Sequence, residues 1–282
     1  LKARECAAMP AIDSNPQTPR LEQLLAERAD LWRGRSSAAG VGEGIGTGFP
    51  ELDQLLPWHG WPGSGLTELL TDQPAIGLTL LLPALRCLCP GVEDGDNDHC
   101  DQPAQSDGQD LSIICSDGWL LLVNPPYIPY APALAAKGLD LGRVLVVDAP
   151  GQGAWVLEQA LRSGGCTAVI GWSTADEPDK QERGWATAIL RRLQLAASER
   201  STPAFLLRPM AAAFQSSPAP LRLDVEAAPN GLDVVLRKLR GGRVGLRLRL
   251  SGSVGPSPIG SKPKGKRAVD PNAFRRAEVG LR

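Results

Sequence analysis

Short continuous runs of apolar residues alternate along this chain with longer segments in which apolar positions return every three or four residues. The runs at 66–70, 120–123, 144–147, 168–172 and 204–207 are bounded by Gly, Pro or polar clusters. Runs of that length predict strands buried on both faces. Between them, 76–88, 130–137, 154–163 and 185–198 read as helices. Pro83 predicts a kink or an early stop in the first of these. Gly164-Gly165 predicts the end of the third. Strands alternating with helices imply an α/β fold with a mostly parallel sheet and helices on both faces.

After Pro220 the period changes to two. Leu221, Leu223 and Val225 alternate with Arg222, Asp224 and Glu226, and Leu246, Leu248 and Leu250 alternate with Arg247 and Arg249. This predicts antiparallel C-terminal strands with one wet face. Asn230-Gly231 supplies a hairpin turn between two of them. The resulting domain spans 46–250. It is preceded by a flexible N-terminus, 1–45, containing a short amphipathic helix, 21–32. Leu21, Leu24, Leu25, Leu31 and Trp32 form that helix's apolar face, which would pack on its own domain or dock on a partner. An insertion at about 89–118 is acidic. The tail, 251–282, is rich in Pro, Gly, Ser and Lys and is predicted to be disordered.

Composition narrows the functional classes. Across 282 residues, 43% are hydrophobic, enough for a sizeable core. The formal net charge of −1 argues against a generally basic nucleic-acid-binding protein, but the charge is unevenly placed. Asp and Glu crowd 93–110, while Lys262, Lys264, Lys266, Arg267, Arg275 and Arg276 make the tail basic. Those six cations are candidate contacts for a partner or for DNA, whose phosphates would add salt-sensitive affinity. No run reaches membrane-span length. The six cysteines lack the spacing of a disulfide scaffold, which suggests reduced thiols in a cytoplasmic protein.

Candidate metal sites fail on spacing. Asp94, Asp96, Asp98 and Asp101 suggest a calcium loop, yet His99 and Gln105 occupy the places that need Gly and Glu. Cys87, Cys89, His99 and Cys100 do not match a zinc pattern. His59 and His99 are the two histidines, so triad chemistry has little to draw on.

Two neighbouring segments carry a family resemblance. Thr47-Gly48-Phe49 with Leu52-Asp53 and Leu55 is followed by Gly60-Trp61-Pro62 and Gly65-Leu66-Thr67-Glu68-Leu69. Together they resemble the entry to RecA-type recombinase cores. The similarity to the ImuA family, often labelled SulA-like, is closer. It adds Leu31-Trp32-Arg33-Gly34, the 125–134 stretch with its prolines, the 157–164 and 191–196 helices, Arg208-Pro209 and the 217–223 stretch.

The resemblance implies a RecA-like accessory protein of SOS-induced mutagenic translesion DNA synthesis. Its partner would be an ImuB-type Y-family polymerase homologue, with RecA and DNA as further contacts and self-association compatible with the class. It would be cytoplasmic and join the nucleoid when engaged in repair. A SulA-like cell-division inhibitor is the alternative.

A working phosphate loop reads G-x-x-x-x-G-K-[ST]. The matching place here, 71–79, lacks the first Gly and puts Leu78 where the Lys should be. Asp72 would bring negative charge close to the phosphates, and Pro74 removes an N–H from the cradle. Asp72, Gly77, Leu78 and Thr79 therefore read as a vestigial nucleotide site. The metal-binding Asp and the water-activating Glu of the family are also replaced, near Ser173 and Asn124. The sequence predicts no catalytic residue, no metal and no cofactor. Weak nucleotide binding at a helix N-terminus is the one nucleotide chemistry left open.

Overall fold

The computed structural model describes residues 44–91, 118–173, 185–251 and 275–278. The N-terminal helix at 21–32, most of the acidic insertion, and Lys262, Lys264, Lys266 and Arg267 lie outside the described residues. Ordered packing begins at once. Ile45 and Trp61 exchange backbone hydrogen bonds of 2.9 and 2.7 Å. Thr47 accepts from the Phe49 N–H on its Oγ1 at 3.1 Å, and the Thr47 N–H donates to Asp53 Oδ1 at 3.0 Å. The Thr-Gly…Leu-Asp pattern is thus a latch around helix α1, Pro50–Asp53.

The remaining elements follow in the order strand, helix, strand. They are β1 (Gly65–Leu70), α2 (Pro74–Leu88), β2 (Trp119–Val123), α3 (Ala131–Ala136), β3 (Val144–Asp148), α4 (Gly153–Ser163), β4 (Cys166–Trp172), α5 (Thr187–Glu199) and β5 (Pro203–Arg208). Then come β6 (Leu221–Ala228), β7 (Gly231–Leu239), β8 (Arg247–Ser251) and β9 (Arg275–Glu278). The nine strands form one sheet in the order β8-β7-β6-β1-β5-β4-β2-β3-β9. Strands β1 to β6 and β9 run parallel, and β7 and β8 complete an antiparallel meander with β6. This is the expected α/β architecture.

Alternation within each strand sends neighbouring side chains to opposite faces. Leu69, Leu120, Leu122, Ile170, Phe205 and Leu207 pack under α1, α2 and α3. Leu66, Leu121, Val123, Val169 and Leu206 pack under α4 and α5. Helix α4 ends at Gly164 in the left-handed conformation (φ 70°), as the Gly-Gly pair predicts.

Three expectations are settled by the fold. The helix expected over 76–88 is present, and of the two effects expected of Pro83 the early stop does not occur, since α2 continues to Leu88. The proline ring is held against Gly48, where a Cβ would overlap Pro83 Cβ, so tertiary packing overrides the local penalty. Strand β6 lacks the expected wet face over Leu221–Val225, though Glu226 is exposed. Arg222 and Asp224 are buried, and β6 joins the parallel sheet through β1 while pairing antiparallel with β7. Its alternation reflects a buried charge network. Finally, the tail is not wholly without structure, because β9 pairs in parallel with β3. Its Arg-Arg-Ala-Glu sequence has no apolar period to announce a strand.

Candidate functional site

Open parallel sheets place ligands beyond the carboxyl ends of their strands. In this chain those ends are tied together by hydrogen bonds. After β1 the turn is three residues long, and Pro74 already begins α2. Thr71 Oγ1 accepts from the Gln73 N–H at 3.1 Å, and the Ile76 N–H donates to the Gln73 carbonyl at 2.9 Å. Asp72 Oδ1 accepts from the Met210 N–H at 2.9 Å, which links this turn to the segment after β5. The Thr71 N–H donates to the Arg208 carbonyl at 2.9 Å.

The other three residues of the vestigial site also have structural uses. Gly77 is buried, and a Cβ there would lie 2.5 Å from Leu207 Cδ2, so its size sets how closely α2 approaches the sheet. Leu78 is partly buried against the core. Thr79 Oγ1 donates to the Ala75 carbonyl at 2.8 Å, a bond within its own helix. The geometry therefore brings Asp72, Gly77, Leu78 and Thr79 to one helix end, but as a closed turn. No lysine stands at this turn, and Pro74 together with the two bonds to Thr71 and Gln73 uses up backbone groups that would line a phosphate cradle. These residues do not fit a bound nucleotide phosphate.

The neighbouring strand ends are stitched in the same way. Asn124, at φ 52°, donates from Nδ2 to the Ala149 carbonyl at 3.1 Å and accepts from the Ala149 N–H at 2.7 Å. The Ser173 N–H donates to the Leu207 carbonyl at 3.0 Å. Asn tolerates the left-handed region better than most residues. Asn124→Ala should therefore lose two hydrogen bonds and gain backbone strain. The expected loss is about 2 kcal/mol in urea unfolding; a loss below about 0.5 kcal/mol would show that the stitch carries no net stability.

The sequence analysis missed the most polar feature of the interior. Glu68 of β1 is fully buried among apolar neighbours. Its Oε2 accepts from Arg208 Nη1 at 3.2 Å and from Arg222 Nε at 2.9 Å, and its Oε1 accepts from the Ser217 hydroxyl. Arg208 Nη2 also reaches Gln215 Oε1 at 2.6 Å. Arg222 donates to the Gln215 carbonyl at 3.1 Å and to the Ala212 carbonyl at 2.8 Å. Lys238 Nζ donates to the Ser217 carbonyl at 2.7 Å. Burial pulls the Arg208 guanidinium below its ordinary range, opposed by the Glu68 carboxylate. Burial similarly lowers the Lys238 ammonium, with Arg222 adding repulsion.

This network clamps the segment between β5 and β6 onto the α5 face of the sheet. Its role is positioning. The signal for it was present in the sequence: one Glu inside the otherwise uncharged run Gly-Leu-Thr-Glu-Leu-Leu, and one Arg ending another apolar run.

The expected contacts in the tail are described only in part. Arg275 and Arg276 belong to β9 by their backbone. Large apolar side chains exposed elsewhere include Tyr127, Ile128 and Tyr130 in the proline-rich loop after β2, with Trp155 of α4 and Phe214. Among the described residues no group of His, Cys, Asp and Glu could hold a metal ion. No helix there is long and apolar enough to cross a membrane.

No protein-family model matches this chain, and no curated protein matches it either. Solved structures similar to it include the RadB recombinase, at 16% identity and a TM-score of 0.48, covering 72% of this chain and 93% of that one. SulA from Pseudomonas aeruginosa is another, at 26% identity and a TM-score of 0.33, covering 51% of this chain and 97% of that one.

Proposed function

We propose that this chain is a non-catalytic RecA-like accessory factor in SOS-induced mutagenic translesion DNA synthesis. It acts by binding an ImuB-type Y-family polymerase homologue, with RecA and DNA as further contacts. The observation that carries the non-catalytic part is the closed turn after β1. Phosphoryl transfer depends on positioning and on charge placed around the phosphates. Here a three-residue turn bonded to itself and to Met210 replaces the cradle, and Leu78 replaces the cation. The choice of partner rests on the sequence motifs that resemble the ImuA family.

Four measurements test the reading. ATP at about 1 mM with Mg²⁺ should leave the thermal midpoint unchanged within about 1 °C, since a ligand stabilises only in proportion to its occupancy of the native state. Leu78→Lys should not restore turnover, because the turn is still too short. Saturable hydrolysis by the unmodified chain would overturn the non-catalytic reading. Capture of the polymerase homologue by tagged full-length chain in co-expression supports recruitment. Failure of capture at low salt, with normal expression of both proteins, removes it. Filamentation on overproduction would favour the division-inhibitor reading instead.

A further inference from the structure

Among the described residues, Phe214 is the most exposed large apolar side chain, with a relative exposure of 92%. A lone exposed apolar side chain is ordinary on a protein surface. The backbone that carries this one is not. Phe214 ends a single 3-10 turn, Met210–Phe214, in the segment between β5 and β6. The Met210 N–H donates to Asp72 Oδ1 at 2.9 Å. The Ala212 carbonyl accepts from Arg222 Nη2 at 2.8 Å. Gln215 accepts from Arg208 on its side chain at 2.6 Å and from Arg222 on its carbonyl at 3.1 Å. The Ser216 carbonyl accepts from Thr187 Oγ1 at 3.1 Å. Ser217 donates its hydroxyl to Glu68, and its carbonyl accepts from Lys238 Nζ at 2.7 Å.

The turn is thus pinned before and after Phe214 by groups from other elements, most of them members of the buried charge cluster. Burying paired charges brings little net stability. What this cluster secures is one position for the turn. A ring held in place before contact loses little freedom on association, which favours tight binding. Charge then selects the occupant. Residues 209–220 contain no Asp, Glu, Lys or Arg. The cations beneath them are already engaged: Arg208 and Arg222 by Glu68, Lys238 by the Ser217 carbonyl. Nucleic acids need cations for their phosphates even where bases stack on aromatic rings. The segment offers none. Ala211 and Ser216 flank the ring as small exposed residues, so the wall of a pocket can close around it. A neutral ring with a small, uncharged rim matches an apolar pocket on a protein.

We propose that Phe214 is a fixed anchor that inserts into an apolar pocket of a protein partner, and that this partner is the polymerase homologue. The inference rests on the recruitment function proposed above and assigns it a surface. The buried cluster then acts on binding without touching the partner, by holding the ring where the pocket meets it.

The test titrates the polymerase homologue with purified full-length chain in four forms: unmodified, Phe214→Ser, Phe214→Leu and Leu195→Ser. Leu195 of α5 is another exposed apolar residue and controls for general surface apolarity. Circular dichroism and thermal melting confirm that each variant is folded, as expected for changes at exposed side chains. The anchor predicts that Phe214→Ser weakens binding at least about tenfold. Phe214→Leu, which keeps apolar bulk, should weaken it less, and Leu195→Ser should leave it within about twofold. Binding by the unmodified chain with a smaller loss in Phe214→Ser overturns the anchor and leaves recruitment standing. Equal losses at Phe214 and Leu195 overturn it too, since binding would then follow exposed apolar surface in general. No binding by the unmodified chain removes recruitment and the anchor with it. Oligothymidine titration and sedimentation velocity of the same proteins cover the other occupants. If Phe214→Ser weakens DNA binding or self-association while leaving the polymerase homologue bound, the ring serves nucleic acid or a second copy, and the proposal is overturned.

Discussion

Replacement of Glu68 by Ala should destabilise the domain by about 3–5 kcal/mol, because it leaves two guanidinium groups in the interior without their shared carboxylate. Arg208 is fully buried and Arg222 nearly so. For a domain of this size that loss corresponds to a fall in melting temperature of roughly 6–20 °C. Glu68→Gln keeps the shape and the acceptor for Ser217 but not the charge, and should recover only a small part. The informative comparison is a triple variant, Glu68→Leu with Arg208→Met and Arg222→Leu. Replacing a whole buried ion cluster by apolar residues is often neutral. Global stability should therefore return towards that of the unmodified chain. The donors to Ala212 and Gln215 would still be missing, so the segment between β5 and β6 should become sensitive to limited proteolysis. If Glu68→Ala melts within about 2 °C of the unmodified chain, the cluster does not anchor that segment.

Gly48→Val should be the other severe change. Gly48 has φ 81°, a conformation that a β-branched residue adopts only at a penalty of about 1–2 kcal/mol. The new Cβ would also overlap Pro83, whose ring is fixed within α2 and cannot turn aside. Overpacking of that kind adds about 1–3 kcal/mol, giving a total of about 2–5 kcal/mol in chemical unfolding. Pro83→Gly removes both the Cβ and the Cγ that the new side chain would meet and should rescue part of it, whereas Pro83→Ala keeps the Cβ and should not. Lack of any rescue would place the damage in the backbone conformation alone.

These two positions show why some of the fold was legible in the sequence and some was not. The five central strands announce themselves because both of their faces are covered, so apolar residues run without interruption. Helix α4 announces its end through Gly164. Strand β6 misleads because Arg222 and Asp224 copy the rhythm of a half-exposed strand. Their burial depends on Glu68, far away in sequence, and on Arg237, which holds Asp224 through two bonds of 2.6 Å. Local pattern cannot supply a partner that distant. Pro83 misleads for a related reason, since its tolerance comes from a gap left by Gly48.

The candidate site was legible mainly as a loss. Leu78 in place of a lysine is visible in the sequence, whereas the use of Asp72 to hold the Met210 N–H requires the fold. Strand β9 lies at the far limit of legibility. Main-chain pairing to an edge asks almost nothing of side chains, so a polar tail can form a strand with no hydrophobic warning.

The placement of β1 at the middle of the sheet, between β5 and β6, has a consequence for biogenesis. Both neighbours are made more than a hundred residues after Leu70, because β5 begins at Pro203 and β6 at Leu221. At ordinary translation rates of about 5–20 residues per second, the apolar β1 leaves the ribosome several seconds or more before either flank exists. Pairings that distant slow folding and prolong the life of incomplete sheets. Newly made chains should therefore depend on holding factors during synthesis, and fragments ending before Pro203 should collect in the insoluble fraction with β1 unpaired.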